Sequence, residues 1–189
     1  MDGRIQVAMI YGSTREGRLC DKVAGWVGEQ IGSHGEFSLD PIDPLEFGGA
    51  KGFDARALAS LEQRLARADA FVVVTPEYNR GYPAPLKQLI DAAYAPWHGK
   101  PVGFVSYGGR SGGLRAVEQL RQVFAELHAV SVRESTSFVN AWEQFDDHGV
   151  LHSPERARRS MQSLLTQLHW WATALRAARS RRPYAEMAA

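Results

Sequence analysis

Three runs of almost unbroken apolar residues punctuate the chain: IQVAMIY at 5–11, AFVVVT at 70–75 and VGFVSY at 102–107. Such runs suit strands covered on both faces, as in a parallel sheet. EFSLDPI at 36–42 and VSVRESTSF at 130–138 alternate more and predict strands toward the sheet edges. Between the strands the apolar period lengthens to three or four. Val23, Trp26, Val27 and Ile31 share one face of a helix over 19–31, and Leu114, Val117, Leu120, Phe124 and Leu127 one face of a helix over 113–128. Residues 56–67 and 83–94 predict two more helices, with Pro83 and Pro85 in the first turn of the second. A last helix is predicted from an N-cap at Ser153, followed by Pro154 and Glu155, with Ala157, Met161, Leu164, Leu168, Trp171 and Leu175 facing inward.

Strand and helix in strict alternation predict an α/β three-layer sandwich with right-handed crossovers. Five strands favour a parallel sheet in the flavodoxin-like order 2-1-3-4-5, with ligands bound outside the carboxyl ends of the strands. A length of 189 residues suits one domain, expected over 1–182 with a disordered tail at 183–189. Twenty-two Lys and Arg against 21 Asp and Glu leave a net charge of +1, which excludes a strong global field for nucleic acid or anionic lipid. The single cysteine, Cys20, allows no internal disulfide and no multi-thiolate metal site, and the short apolar run near the N-terminus matches neither a signal peptide nor a membrane span. A cytoplasmic protein is expected.

Function must then lie in the loops after the three strong strands. GSTREGR, Gly12 to Arg18, offers a tight turn, the hydroxyls of Ser13 and Thr14, the charges of Arg15 and Arg18 and a helix N-terminus behind them, a set that suits a phosphate. It is not a P-loop, because Arg18 and Leu19 stand where Lys and Ser or Thr belong, and the dinucleotide fingerprint GxGxxG is absent. A terminal monophosphate bound without metal fits best. TPEYNRGYPAP, from Thr75, puts Pro76, Glu77, Tyr78 and Asn79 in a rigid polar and aromatic loop that can edge a flat heteroaromatic ring, although alone it reads as a proline-rich connector. SYGGRSGG, Ser106 to Gly113, carries four glycines and a supply of free amides, a weak signal by itself.

Taken together, GSTREGR, PEYNRGYPAPLKQLID and YGGRSGG resemble the NADPH-dependent FMN reductase family of flavodoxin-like flavoproteins, over residues 5 to about 130. The resemblance implies an FMN-dependent NAD(P)H oxidoreductase that passes hydride from NADPH or NADH to bound FMN and on to a flavin, quinone, azo or similar small-molecule acceptor. It implies that Ser13, Thr14, Arg15 and Arg18 bind the FMN phosphate, that Pro76, Glu77, Tyr78 and Asn79 border the isoalloxazine and ribityl chain, and that Ser106, Tyr107, Gly108, Gly109 and Arg110 contact the pyrimidine end. No catalytic side chain is required, since the cofactor carries the redox step. Many members have Ser at the place of Arg18 and Asn at that of Cys20. The resemblance further implies a homodimer or tetramer, with a monooxygenase as one possible consumer of reduced flavin. Tyr82, Leu86, Leu89, Ile90, Tyr94 and Trp97 would serve the interface or the chain's own core. Two other classes compete, a flavodoxin-like electron carrier and a non-catalytic nucleotide-binding module. The balance of acidic and basic residues speaks against the carrier, which is usually strongly acidic.

Other features carry less. His148 and His152 are four apart but flank Gly149 in a loop, so no metal site is expected. Arg176 to Arg182 holds four arginines at a helix C-terminus, where they complement the dipole, and no nucleic-acid partner is expected. Lys87 and Asp91 are spaced for a helical ion pair.

Overall fold

The computed structural model describes residues 3–48 and 52–186. Its elements alternate as β1 (Ile5–Tyr11), α1 (Cys20–Ser33), β2 (Phe37–Ile42), α2 (Ala55–Arg67), β3 (Ala70–Pro76), α3 (Ala84–Asp91), β4 (Pro101–Gly108), α4 (Leu114–Glu126), β5 (Val130–Val139) and α5 (Glu155–Arg181). The five strands form one parallel sheet in the order β2-β1-β3-β4-β5, as the pattern predicts, with the two weaker runs at its edges.

The two-residue period of the strands splits the core into two halves. Val7, Met9, Val72, Val74 and Val105 face α1 and α5, whereas Ala8, Ile10, Phe71, Val73 and Phe104 face α2, α3 and α4. Trp26 of α1 meets Phe138 of β5 edge to face at 5.3 Å. On the other side Trp97 packs on Phe71 and Phe124 and donates its Nε1 hydrogen to the carbonyls of Ile90 and Ala93. On the α5 side Gly103 of β4 lets the helix sit close, since a Cβ there would lie 2.9 Å from Leu164 Cδ2 and push that side chain aside.

Several sequence expectations change. Leu114 is exposed rather than inward, because Gly113 in a left-handed conformation starts α4 one position too late to turn Leu114 under the helix. The third helix ends at Asp91 and a separate 3-10 turn, Ala95–Trp97, follows. No side chain caps α5, which opens at Glu155 after Pro154. Of the candidate interface residues, Leu86, Leu89, Ile90 and Trp97 are fully buried in the chain's own core, Tyr82 is half-buried and only Tyr94 is exposed. Residues 183–186 of the tail carry a 3-10 turn whose Tyr184 hydroxyl meets His128 Nδ1 at 3.1 Å, and 187–189 lie outside the described residues. The pair Lys87 and Asp91 forms at 2.5 Å.

The arginines of α5 close the amino-terminal edge of the sheet. Arg176 donates to the carbonyls of Gly3 and Arg4, Arg179 to that of Gly99, and both pair with Asp69. Beside them Lys100 is only 6% exposed, its Nζ donating to the carbonyls of Leu65 and Ala66 in the last turn of α2. Burial, reinforced by Arg179, draws this ammonium down to about 7. The unfolded chain holds the proton to about pH 10.4, so between those values the unfolded state binds more protons and stability rises with pH. Measured by denaturant melts from pH 7 to 10, the wild type should gain about 2–4 kcal/mol relative to Lys100→Met. Parallel pH profiles for the two proteins would show that Lys100 does not titrate in that range.

Candidate functional site

The parallel order brings the loops after β1, β3 and β4 onto one edge of the sheet. The first loop lies flush on β3. A Cβ at Gly12 would stand 2.7 Å from the Val74 carbonyl oxygen and 2.8 Å from Thr75 Cα, so only glycine permits this approach. The backbone then turns through Gly17, at φ +63°, into α1. Ser13 is buried and its hydroxyl shares a hydrogen bond of 2.9 Å with the Tyr78 hydroxyl of the second loop. Arg15 is exposed, stacks on the Tyr78 ring at 3.6 Å and has no carboxylate partner among the described residues.

Arg18 behaves differently. Its side chain is 6% exposed, donates to both oxygens of Asp43, to Asp21 and to the carbonyl of Ser13, and its pKa is raised chiefly by the bond to Asp43. Asp43 in turn accepts from the Leu45 amide. The guanidinium is therefore a brace between the first loop and the loop after β2, with two carboxylates already around it. A phosphate has little to gain there.

In the second loop Pro76 ends β3 and Tyr78-Asn79-Arg80-Gly81 form a tight turn closed by reciprocal backbone bonds between Tyr78 and Gly81. Asn79 and Arg80 both have positive φ, 49° and 71°, the geometry of a type I′ turn. Asn79 is exposed at its tip. Glu77 is tied down: its amide donates to the Tyr107 carbonyl, and its carboxylate accepts from the Ser111 hydroxyl at 2.7 Å, the Arg115 guanidinium at 2.8 Å and the Arg115 amide at 3.2 Å. Desolvation pushes this carboxyl up, but those bonds outweigh it and hold Glu77 below the usual range. Glu77 thus fastens the second loop to the third and to the start of α4.

The third loop is shaped from within. The hydroxyls of Ser106 and Ser137 both donate to the Gly112 carbonyl at 2.8 Å, and a Cβ at Gly112 or Gly113 would collide with Ser137 or with Ser106 and Tyr107. Ser106 accordingly serves the loop rather than the rim. The Tyr107 side chain points into the core beside Cys20, with its hydroxyl unpartnered and its pKa strongly raised, first by desolvation and then by Cys20. Only the backbone of Tyr107 reaches the site. Gly108 and Gly109 remain at the rim, and Arg110 is exposed. Over Gly109 stands Trp142, which is 60% exposed and comes from the turn after β5.

The resulting donor set is one-sided. Among the described residues the amides of Thr14, Glu16 and Gly17 in the first loop, and of Gly109, Arg110 and Ser111 in the third, have no hydrogen-bond partner. Free amides beside an unpaired Arg15 fit an anion on the first loop. Those beside Arg110 fit an electron-rich ring edge on the third, with the Tyr78 turn between them. Trp142 and Arg115 were not legible in the sequence, since the strand–loop pattern that picks out 12–18, 76–79 and 106–113 gives no reason to look at them, and Ser111 was legible only as part of its loop. The described residues hold no cluster of His, Cys, Asp and Glu arranged for a metal, and none of their helices is long and apolar enough to cross a membrane.

Residues 5–144 match the family described as NADPH-dependent FMN reductase. The NAD(P)H-dependent FMN reductase of Schizosaccharomyces pombe is 39% identical over 130 residues, 62% of this chain and 64% of that protein, so the alignment spans just under two thirds of that relative's length. The NAD(P)H:quinone oxidoreductase of Solanum tuberosum is 32% identical over 185 residues, covering 85% of this chain and 90% of that protein. Among solved structures, the flavoenzyme NAD(P)H:(acceptor) oxidoreductase FerB of Paracoccus denitrificans superposes with a TM-score of 0.71 at 22% identity, over 89% of this chain and 98% of that one.

The glycines give a matched test. Gly12→Ala should destabilise the fold by about 1–3 kcal/mol, because its Cβ meets backbone that cannot move away. Gly25→Ala, in α1 with nothing within 4 Å of its Cβ, should stabilise it by about 0.5–1 kcal/mol. Thermal melts of the two variants check both signs.

Proposed function

Because the chain belongs to the NADPH-dependent FMN reductase family, we propose that its rim of three loops holds FMN and that the protein passes electrons from NAD(P)H through this cofactor to a small-molecule acceptor. FMN supplies the redox chemistry, accepting hydride from the dinucleotide and yielding the electrons to the acceptor. The residues supply position. Ser13, Thr14, the amides through Gly17 and the Arg15 guanidinium take the phosphate, with Arg18 holding their loop in place. The Pro76–Asn79 segment borders the ring, and Gly109, Arg110 and Ser111 present their donors to the pyrimidine end, where preorganised hydrogen bonds favour negative charge. The single observation that carries this reading is the pairing of free amides with unpaired arginines on two adjacent loops at the carboxyl end of a parallel sheet.

A quinone is the acceptor best supported. Relatives are named as quinone oxidoreductases, and Trp142 offers a flat aromatic wall next to Gly109 on which a planar acceptor would stack. Leu114 at the start of α4, Val139 at the end of β5 and Trp142 in the turn after it are exposed apolar residues, and a second copy of the chain would meet them rather than α3. The assembly proposed is a cytoplasmic homodimer with the redox site beside the interface. A monooxygenase that takes reduced flavin from it stands as a possible further partner in the same reaction sequence, as the family resemblance implies.

The purified protein is expected to be yellow, or to become so on loading with FMN, and anaerobic NADPH should bleach it. Bleaching separates a reductase from an electron carrier, which binds FMN without taking hydride, and a chain that cannot be loaded with FMN overturns the assignment. Arg15→Ala should weaken FMN retention roughly 10- to 100-fold without lowering the melting temperature of the apoprotein, the loss of one charge-assisted contact. Unchanged retention would take Arg15 out of the phosphate site. Trp142→Ala should raise KM for a bicyclic quinone several-fold while leaving that for ferricyanide, which needs no stacking surface, where it was.

A further inference from the structure

At the opposite edge of the sheet from the redox site lies a cavity of 420 Å³ between the end of α2, the Ala95–Trp97 turn and the Pro183–Ala185 segment. Its walls are mostly apolar, from Ala66, Ala95, Pro96 and the Tyr184 ring, and its polar groups are Lys100, His98 and Arg179. The charge within it is unbalanced. Lys100 is almost wholly buried, its Nζ held by the carbonyls of Leu65 and Ala66 and 5.5 Å from the Phe71 ring centroid, with no carboxylate bonded to it among the described residues. Asp69, the acid of this region, is already engaged by Arg176 and Arg179. His98 Nε2 is buried with no hydrogen-bond partner among the described residues, while its ring is fixed by stacking on His128 at 4.9 Å and by edge contacts with Tyr94 and Tyr184. Lysine is seldom buried without a counter-charge, and an unpaired buried polar atom is costly.

We propose that this cavity binds a small amphiphilic monocarboxylate, its anion received by Lys100 Nζ and His98 Nε2 and its apolar body lying between Ala66, Pro96 and the Tyr184 ring. A carboxylate supplies the counter-charge that holds the proton on a desolvated ammonium and the partner that the imidazole lacks, and one binding event serves both groups. Phosphate esters fit less well, because a doubly charged headgroup would be stripped of water against apolar walls while Arg179 is already committed to Asp69 and the Gly99 carbonyl. The site adds to the redox function and does not depend on it, since strands of seven or eight residues separate the two edges by roughly 25 Å.

Hexanoate and benzoate, with hexanamide and benzamide as neutral controls, test the assignment on the full-length protein loaded with FMN. The carboxylates should raise the melting temperature in a saturable way, with millimolar or tighter affinity, and should shift backbone amide resonances at 95–100 and 183–185. The amides should do neither. Lys100→Met should weaken carboxylate binding by about tenfold or more while FMN retention is unchanged. Should that variant fold poorly, Ala95→Trp at the cavity mouth should abolish the response in a protein that melts normally. No response to the carboxylates, an equal response to the amides, binding retained in both variants, or resonance shifts confined to the loops at 12–18, 76–80 and 108–113 would each overturn the proposal. The last outcome would assign the carboxylates to the redox cleft instead.

Discussion

A parallel sheet covered on both faces spends the polar groups of its backbone sideways, strand to strand, and presents nothing but side chains above and below. Here those side chains are apolar almost without exception: every residue of β3 from Ala70 to Val74 is fully buried, and the two core halves carry no charge. Polar chemistry is thereby expelled to the two ends of the strands. Direction decides which end does what, because the carboxyl ends release their chains into loops and helix N-termini, and the amino ends receive helix C-termini. Donors gather at the first edge and carbonyl acceptors at the second.

That division explains both sites. At the carboxyl edge the problem is to keep unpaired donors in place while no ligand holds them, and three interlocks do so: Arg18 on Asp43, the Ser13 hydroxyl on that of Tyr78, and Glu77 on Ser111 and Arg115. None of these needs the cofactor. The loops are fixed beforehand, so binding orders little of the chain, which is the economy that preorganisation provides. At the amino edge the last carbonyls of α2 attract a cation, and Lys100 answers them. The same burial that lets it reach those carbonyls strips it of water and lowers its affinity for the proton.

The fold was legible in the sequence because hydrophobic period reports burial, and burial is what the sheet imposes; the five strands follow from it, and their order from the strict alternation of strand and helix. The three loops proposed to hold the cofactor were legible, since each follows a buried strand. What the pattern could not show was the partner of each polar side chain. Arg18 reads as a phosphate ligand until Asp43, 25 positions away and in a loop with no signal of its own, is brought against it. Tyr107 lies inside the third loop motif, yet strand alternation turns its ring inward, and the motif masked a parity that Val105 already implied. Periodicity also left Leu114 on an inward face although the start of α4 exposes it, and it could not decide between the chain's own core, which covers the α3 face, and a second copy. Trp142 was invisible for a different reason: it belongs to no regular element long enough to have a period.

The near-zero net charge conceals this partition. Arg15 and Arg110, at the carboxyl edge, have no carboxylate beside them among the described residues, while the arginines at the amino edge are drawn onto Asp69 and onto carbonyls. A dinucleotide and a flavin phosphate both bring negative charge to the first edge, so leaving its arginines unpaired costs the folded chain little in water and favours each ligand as it enters. An electron carrier of this fold, by contrast, is served by the opposite sign, because cations beside the flavin stabilise its anionic reduced form and make it a weaker reductant. The distribution of charge, more than its sum, therefore separates the two readings that the fold alone leaves equal.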